Sequence, residues 1–428
     1  MTTPLRLGLA GLGTVGAGVV RIVQSHAEML AARTGRSIEI SAVSARSRDR
    51  DRGVDLSSYA WEDDPVALAR RDDVDLFVEL MGGADGPAKA ATEAALAAGK
   101  PVVTANKAMV AIHGQALAEA AEAAGTALRF EAAVAGGIPC IKALTEGLAG
   151  NAVSRVMGVM NGTCNYILTR MDSAGLSYDE VFEEARALGY LEADPTLDVG
   201  GIDAGHKLAI LASIAFGTRV DFDGVTLEGI ERISIDDIHR ARDMGYRIKL
   251  LGLAERGADG IRQSMRPTLV PADSPLGQLE GGTNMVVVEG DAVGQIVLRG
   301  AGAGAGPTAS AVMADICDIA RGVRIPPFGQ PAATLAAAPR AEDRGERPFY
   351  VRLTLQDRPG ALALVATALG EAGISIDRMR QYDHPGDDAP VLIVTHPCAR
   401  GVLQQALETL GGTKVLRAVP VALQIQDV

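Results

Sequence analysis

The 428 residues give room for two to three domains, and 47% hydrophobic with 22% charged residues is the make-up of a globular protein. A net charge of −12 argues against general nucleic-acid binding. No apolar run is long enough to span a bilayer, and the first six residues lack a signal-peptide core. Cys140, Cys164, Cys317 and Cys398 show neither CxxC nor zinc-type spacing, so reduced thiols in a cytoplasmic protein are expected.

Residues 6–10 form a short apolar strand candidate that runs into Gly11-Leu12-Gly13-Thr14-Val15-Gly16, with a helix expected over 17–30. Strand, glycine turn and helix in that order are the context of a dinucleotide site. Gly11 permits the tight turn, Gly13 the approach of a pyrophosphate, and Gly16 close helix–strand packing. The helix N-terminus offers its unpaired N–H groups to the phosphates. After a second strand at 38–43, an acidic residue would hold a ribose 2′-OH. The sequence there reads Ser44-Ala45-Arg46-Ser47-Arg48, and the two arginines favour a 2′-phosphate, hence NADP(H). A plain basic loop is the alternative.

Strands at 74–80 and 101–105 with a helix at 88–98 between them continue the rhythm of a doubly wound sheet. Lys107 follows the later strand directly. Ligands of such sheets gather at the carboxyl ends of the strands, which points Lys107 into a cleft. A further strand over 128–134 leads into Ala135-Gly136-Gly137-Ile138.

Beyond this the periodicity changes. A strand leading to a turn over 155–163, helices from about 165 to 188, and strands at 248–253, 268–270 and 285–289 suit an α+β domain. Within it, five ionisable side chains of catalytic type, Glu192, Asp194, Asp198, Asp203 and Lys207, stand close together. A buried helix is expected over 202–215, and Asp203 and Lys207, four apart, share one of its faces. A buried ammonium needs partners, which the carboxylates supply. Taken alone, such a pair is more often a solvated helix surface than a site. A Gly/Ala run at 299–306 ends in Pro307 and Thr308, where a helix to 319 opens, a second place for backbone to approach a cofactor. Residues 326–348 read as an interdomain linker. After them, 349–355, 361–372, 374–381, 390–395, 401–410 and 415–423 alternate as a βαββαβ module with no acid–base cluster of its own.

These stretches together resemble homoserine dehydrogenase with a C-terminal ACT domain, over nearly the whole chain. The resemblance rests on GLGTVG at 11–16, ANKA at 105–108, EAAVAGGIP at 131–139, NGTCNYIL at 161–168, GYLEADPTLDVGGIDAGHKLAIL at 189–211, GAGAGPTASAV at 302–312 and DRPGAL at 357–362. It implies an α/β chain: a Rossmann-type NAD(P)-binding domain over 1–135 completed by 302–325, and a catalytic and dimerisation domain over 136–325. The linker at 326–348 and a ferredoxin-like ACT domain over 349–428 follow.

The implied reaction interconverts L-homoserine and L-aspartate 4-semialdehyde with NADP(H), or alternatively NAD(H), on the route to threonine and methionine. By resemblance, Lys207 is the acid–base group at the substrate oxygen, Lys107 lies between substrate and nicotinamide, and Asp203 orients Lys207 or the substrate hydroxyl. Glu192 binds the amino group, beside Asp198 and Gly189; Thr14, Val15 and Gly306 touch the cofactor. Glu131, Val134, Gly136 and Ile138 match a monovalent-cation site for Na+ or K+, built mostly of backbone carbonyls. Asp357, Arg358, Pro359 and Gly360 match an amino-acid effector loop, with threonine the expected effector, and a homo-oligomer, dimer or tetramer, is expected. A lysine suits proton transfer when a nearby cation and partial burial bring its pKa toward working pH.

Two departures stand out: Gly200, where an acidic residue is expected in many relatives, and Gly205 inside the key helix. An aspartate-semialdehyde-type dehydrogenase would need a nucleophilic cysteine with a histidine base, which neither Cys140 nor Cys164 has by motif. A cofactor-binding sensor with a dead centre is opposed by intact Lys107, Asp203 and Lys207.

Overall fold

Six parallel strands carry the N-terminal part, in the order Ala60–Trp61, Ile38–Ser44, Leu5–Ala10, Leu76–Glu79, Val102–Thr104, Leu128–Arg129. This computed structural model describes residues 3–191, 194–341, 345–382 and 386–427. The strand order reverses direction at Leu5–Ala10, which creates a switch point between its carboxyl end and that of Leu76–Glu79. The strands are buried along most of their length, as their continuous apolar runs require when helices cover both faces.

Two elements depart from the sequence reading here. The helix expected over 17–30 starts earlier and is broken in two, Thr14–Ser25 and Ala27–Thr34, at His26. The strand expected over 128–134 stops at Arg129 and becomes a single 3-10 turn, Glu131–Ala133. The backbone N–H of Glu131 donates to Asp315 Oδ2 at 2.8 Å, so a buried side chain, not a neighbouring strand, takes that donor.

The helix Ala305–Arg321 returns from far along the chain to pack on Thr14–Ser25. Val19, Val20 and Val23 share one apolar cluster with Ala309, Val312 and Ile316. Pro307 lies in its first turn, so the helix opens two residues before the start expected at Pro307.

Most of the remaining strands make one long sheet; Glu346–Arg347 and Cys398–Ala399 pair separately, and Val225–Leu227 pairs with Gly260–Pro271 off its path. That path runs Gly294–Ala301, Thr283–Gly290, Val153–Val159, Tyr246–Gly257, Gly260–Pro271, Val421–Ile425, Phe349–Gln356, Asp388–Thr395, Ile376–Gln381. The last four belong to the C-terminal module, with helices Ala361–Glu371 and Arg400–Gly411 on one face. Its final strand, Val421–Ile425, pairs in parallel with Thr268 and Leu269, so the module's sheet continues that of the middle of the chain. The opposite face packs on the helix Ile235–Asp243: the Tyr350 hydroxyl and Arg352 both donate to the fully buried Asp237, at 3.0 and 2.6 Å.

The segment read as a linker is packed along much of its length. Phe328 is buried with its ring 5.2 Å from that of Phe130, Leu335 is buried, and Ala336 bridges to Thr218. Its proline, alanine and charge suggested a spacer, while two apolar anchors decide its course.

Candidate active site

The cleft begins at the switch point. Gly11 has φ 100, and a Cβ there would lie 2.4 Å from the Leu80 carbonyl, so only glycine lets the two loops come this close. Gly13 is the N-cap of Thr14–Ser25 without a side-chain cap, and the space beside its Cα is open. The first-turn N–H groups there are unpaired within the helix and can receive a pyrophosphate. Gly306 stands in the first turn of the helix Ala305–Arg321 that packs alongside. From this turn a cleft of about 610 Å³ runs to the helix Ile202–Phe216, lined among others by Val15, Lys107, Gly189, Asp198, Asp203 and Lys207.

That helix forms for identifiable reasons. Gly201 (φ 81) turns the chain into it, Asp203 in the first turn complements the helix dipole, and Gly217 (φ 63) closes it. The Gly205 departure is explained by packing: a Cβ would stand 2.8 Å from Leu227 Cδ2 and 3.2 Å from Phe222.

Asp203 is the hinge of the charged cluster. Its Oδ2 accepts from Lys207 Nζ at 2.6 Å, and its Oδ1 pairs with Lys107 Nζ at 2.8 Å. Lys207 also donates to the Met160 carbonyl at 2.9 Å, which fixes the ammonium against a strand end. Burial pushes the Asp203 carboxyl up, but Lys207 and then Lys107 outweigh it and hold the group well below the ordinary carboxylate range. Two lysines share this one buried carboxylate on the wall of the cleft.

The other sequence-derived positions fall in different places. Asp198 is buried beside the cluster, where its Oδ1 accepts from Asn161 Nδ2 at 3.1 Å. Gly189 (φ 75) lies at the rim, next to Tyr190, whose ring stacks on Tyr166 at 4.5 Å. Glu192 lies outside the described residues. Arg46 and Arg48 are exposed after the strand Ile38–Ser44, with the Arg48 guanidinium 5.8 Å from the Trp61 ring. Asp357, Arg358, Pro359 and Gly360 form an exposed turn into Ala361–Glu371, outside the cleft lining.

Glu131, Val134, Gly136 and Ile138 surround a turn in which Ala135 and Gly136 are both left-handed, φ 54 and 51. The Glu131 carboxylate is already used: it accepts from the N–H groups of Ile141 and Lys142 at 2.9 and 2.8 Å. Among the described residues no group of three or more His, Cys, Asp or Glu is arranged to hold a metal. A monovalent cation here would rest on the carbonyls of this turn, which suits the hard, weakly demanding chemistry of Na+ or K+. Burial and then Asp315 push the Glu131 carboxyl up to about 7.

Three contributors escaped the sequence reading. Asn161 caps the helix Gly162–Ala174 through Cys164 N and reaches both Asp198 and Asp203, the latter at 3.4 Å. Its asparagine before a helix start was a signal for the cap, not for the carboxylates. Arg52 donates to the Leu12 carbonyl at 3.0 Å and ties the glycine turn to the arginine loop, across a separation no local pattern reveals. Glu79 lies fully buried under the cleft floor. The cysteines, in turn, are unsuited to nucleophilic work: burial pushes the Cys140 and Cys164 thiols well above their ordinary value.

Comparison with known proteins agrees with this geometry. The homoserine dehydrogenase family matches residues 139–317, the homoserine dehydrogenase NAD-binding domain residues 11–131, and the ACT domain residues 349–412. Homoserine dehydrogenase of Neisseria gonorrhoeae is 42% identical over 415 residues, 95% of each chain. That of Corynebacterium glutamicum is 42% identical over 433 residues, 98% of this chain and 95% of its own. The crystal structure of a homoserine dehydrogenase from Thiobacillus denitrificans superposes with a TM-score of 0.93 at 39% identity, covering 99% of both chains. The chain therefore belongs to the homoserine dehydrogenases, nicotinamide-dependent oxidoreductases acting on a CH–OH group, and carries a C-terminal ACT domain.

Proposed function

We propose that Lys207 is the group that moves the proton at the substrate oxygen in the interconversion of L-homoserine and L-aspartate 4-semialdehyde. The observation that carries this reading is Asp203 held between Lys107 and Lys207 on the cleft wall. A bound nicotinamide cofactor supplies or takes the hydride at C4. At the substrate oxygen, charge develops as the hydride moves, and an ammonium held by a carboxylate and a carbonyl is preorganised to meet it. Lys207 donates its proton there in the reducing direction and takes it back in the other. Asp203 keeps the lysine aimed, and Lys107 stands between the substrate and the glycine turn. Glu192, Asp198 and Gly189 belong to the binding of the substrate's amino end.

Arg46 and Arg48 are exposed, with no ion pair among the described residues, as a waiting 2′-phosphate contact would be, so NADP(H) is the proposed cofactor. Support comes from a hyperthermophilic archaeal homoserine dehydrogenase solved in complex with NADPH, which is 26% identical with a TM-score of 0.64 over 74% of this chain. Glu131, Val134, Gly136 and Ile138 are proposed to hold Na+ or K+, and the turn Asp357–Gly360 to take an amino-acid effector, threonine first. A homo-oligomer in the cytoplasm completes the reading, consistent with four free cysteines.

The test is turnover of L-aspartate 4-semialdehyde followed by nicotinamide absorbance. Faster oxidation of NADPH than NADH is expected, and R46E together with R48E should cut that preference about tenfold, as loss of one charged contact does. A parent preference for NADH discards the arginine argument. No turnover with either cofactor, despite binding, discards the enzyme reading.

A further inference from the structure

The carboxylate of Glu79 is the most deeply buried acid beneath the cleft, and the chemistry above gives it nothing to do. It is the last residue of Leu76–Glu79, level with Ala10 on one side and Thr104 on the other, at the carboxyl edge of the sheet. It is 0% exposed and forms no ion pair among the described residues. An unpaired buried carboxylate costs several kcal/mol unless hydrogen bonds replace its water. Here they do. Oε1 accepts from Met81 N at 2.6 Å and Gly82 N at 3.2 Å, and Oε2 accepts from the Thr104 hydroxyl at 2.5 Å.

The bonds continue into a closed ring. Thr104 Oγ1 accepts from Asn106 N at 3.0 Å. Asn106 Oδ1 takes Met109 N at 3.1 Å and so caps the helix Lys107–Ala123, while its Nδ2 donates to the Gly83 carbonyl at 2.6 Å. One carboxylate thereby ties the loop 80–83 to the loop 105–107. Both loops line the cleft, and Lys107 is the first residue of the helix that the ring caps.

We infer that Glu79 is a positioning residue of the reaction, which sets Lys107 and the facing loop through Thr104 and Asn106. The inference rests on the reading of Lys107 as part of the active site. Three donors converge on its two oxygens, and these hydrogen bonds oppose the burial that pushes the carboxyl up. An amide at this place would turn one N–H toward Thr104 Oγ1, displace that hydroxyl's own donation, and loosen the link to Asn106.

The experiment is a double-mutant cycle with full-length protein. E79Q is measured alone and with K107M for kcat and KM, with NADPH affinity by fluorescence and thermal melting in parallel. E79Q alone should lower kcat on the order of 10- to 100-fold, the range set by small misplacement of a reacting group, with a smaller change in KM for the semialdehyde. In the K107M background the same substitution should change kcat by less than about twofold, the remainder expected of two positions that act as one unit. An equal loss in both backgrounds would make Glu79 a general scaffold residue and overturn the proposal. A K107M protein with the parent rate would instead sink the reading of Lys107, and the proposal with it. Should E79Q fail to fold, T104V and T104S decide: the hydroxyl-free variant must lose kcat on the order of tenfold and the serine variant recover it to within about threefold. Equal rates for the two would overturn the inference.

Discussion

Two lysine–carboxylate clusters, one lining the cleft and one outside its lining, differ in their proportions of charge. On one side Asp203 pairs with both Lys107 and Lys207. On the other, Lys142 serves Asp315, at 3.1 Å, and Asp318, which also pairs with Arg321 at 3.3 Å, with Glu131 close behind. The ratio decides the electrostatics. Two paired lysines overcome burial and depress the Asp203 carboxyl, whereas Lys142, the one cation at ion-pair distance from Asp315 among the described residues, does not: burial pushes the carboxyls of both Asp315 and Glu131 up. The first cluster sets two ammonium groups on the cleft wall, where the proposed reaction needs them. The second has carboxylate to spare, beside the turn proposed for a cation, and holds the helix Ala305–Arg321 against Glu131–Ala133. Residue types alone would not separate a reactive cluster from a structural one; the count of each sign does.

Breaking the first cluster should give the largest effect. Lys207→Met is expected to lower kcat by roughly 10²–10⁴, the usual contribution of a positioned acid–base group, with NADPH affinity and melting temperature near the parent's. Single-turnover kinetics would read the chemical step directly. A folded, cofactor-binding variant at the parent rate would remove Lys207 from the mechanism.

The second cluster should respond in stability rather than rate. Lys142→Met leaves Asp315, 2% exposed at its side chain, without its cation. Breaking a buried pair costs about 3–5 kcal/mol, and the partial exposure of Lys142 and Asp318 brings this to about 2–4 kcal/mol. Urea denaturation checks that loss, while kcat at 25 °C should stay within about threefold of the parent, since no reacting atom is touched. A kcat loss matching that of Lys207→Met would erase the distinction between the two clusters.

How much of this contrast was readable from the sequence depends on its range along the chain. The Asp203–Lys207 pair was legible because both residues sit on one helix four apart, and the glycine turn because strand, loop and helix are contiguous. Lys107 was legible from its place after a strand end. Its bond to Asp203, across 96 positions, was not, because only the packing of Lys107–Ala123 on Ile202–Phe216 brings them together. The same holds for Lys142 with Asp315, and for Glu79, which lies within the strand expected over 74–80 with nothing local to single it out. The C-terminal module was legible as βαββαβ from alternation alone, but its continuation of the central sheet through two residue pairs was not. Long-range polar contacts carry no period, and that is where sequence reasoning stopped.

A third lysine takes the series to its limit. Lys249, 4% exposed, has no carboxylate at ion-pair distance among the described residues; it donates to Asn165 Oδ1 at 3.0 Å and to the Leu279 carbonyl. Glu280 and Asp172 act on it only from farther off, with Arg247 opposing them. Burial accordingly pushes its ammonium down to about 8. Below that pH the lysine is charged both folded and unfolded, and the burial cost acts in full. Between about 8 and the unfolded value near 10.4 the folded chain releases its proton first, so stability contributed by this group rises with pH. Lys249→Met removes the titration. Relative to that variant, the parent should therefore gain on the order of 1–3 kcal/mol between pH 8 and pH 10, read as a difference of two urea-denaturation series so that other titrating groups cancel. Parallel series would mean that Asn165 and Leu279 replace the lost water of this ammonium completely, and that a buried lysine in this fold needs no counter-charge at all. In that case the surplus lysine beside Asp203 would owe its place to chemistry alone.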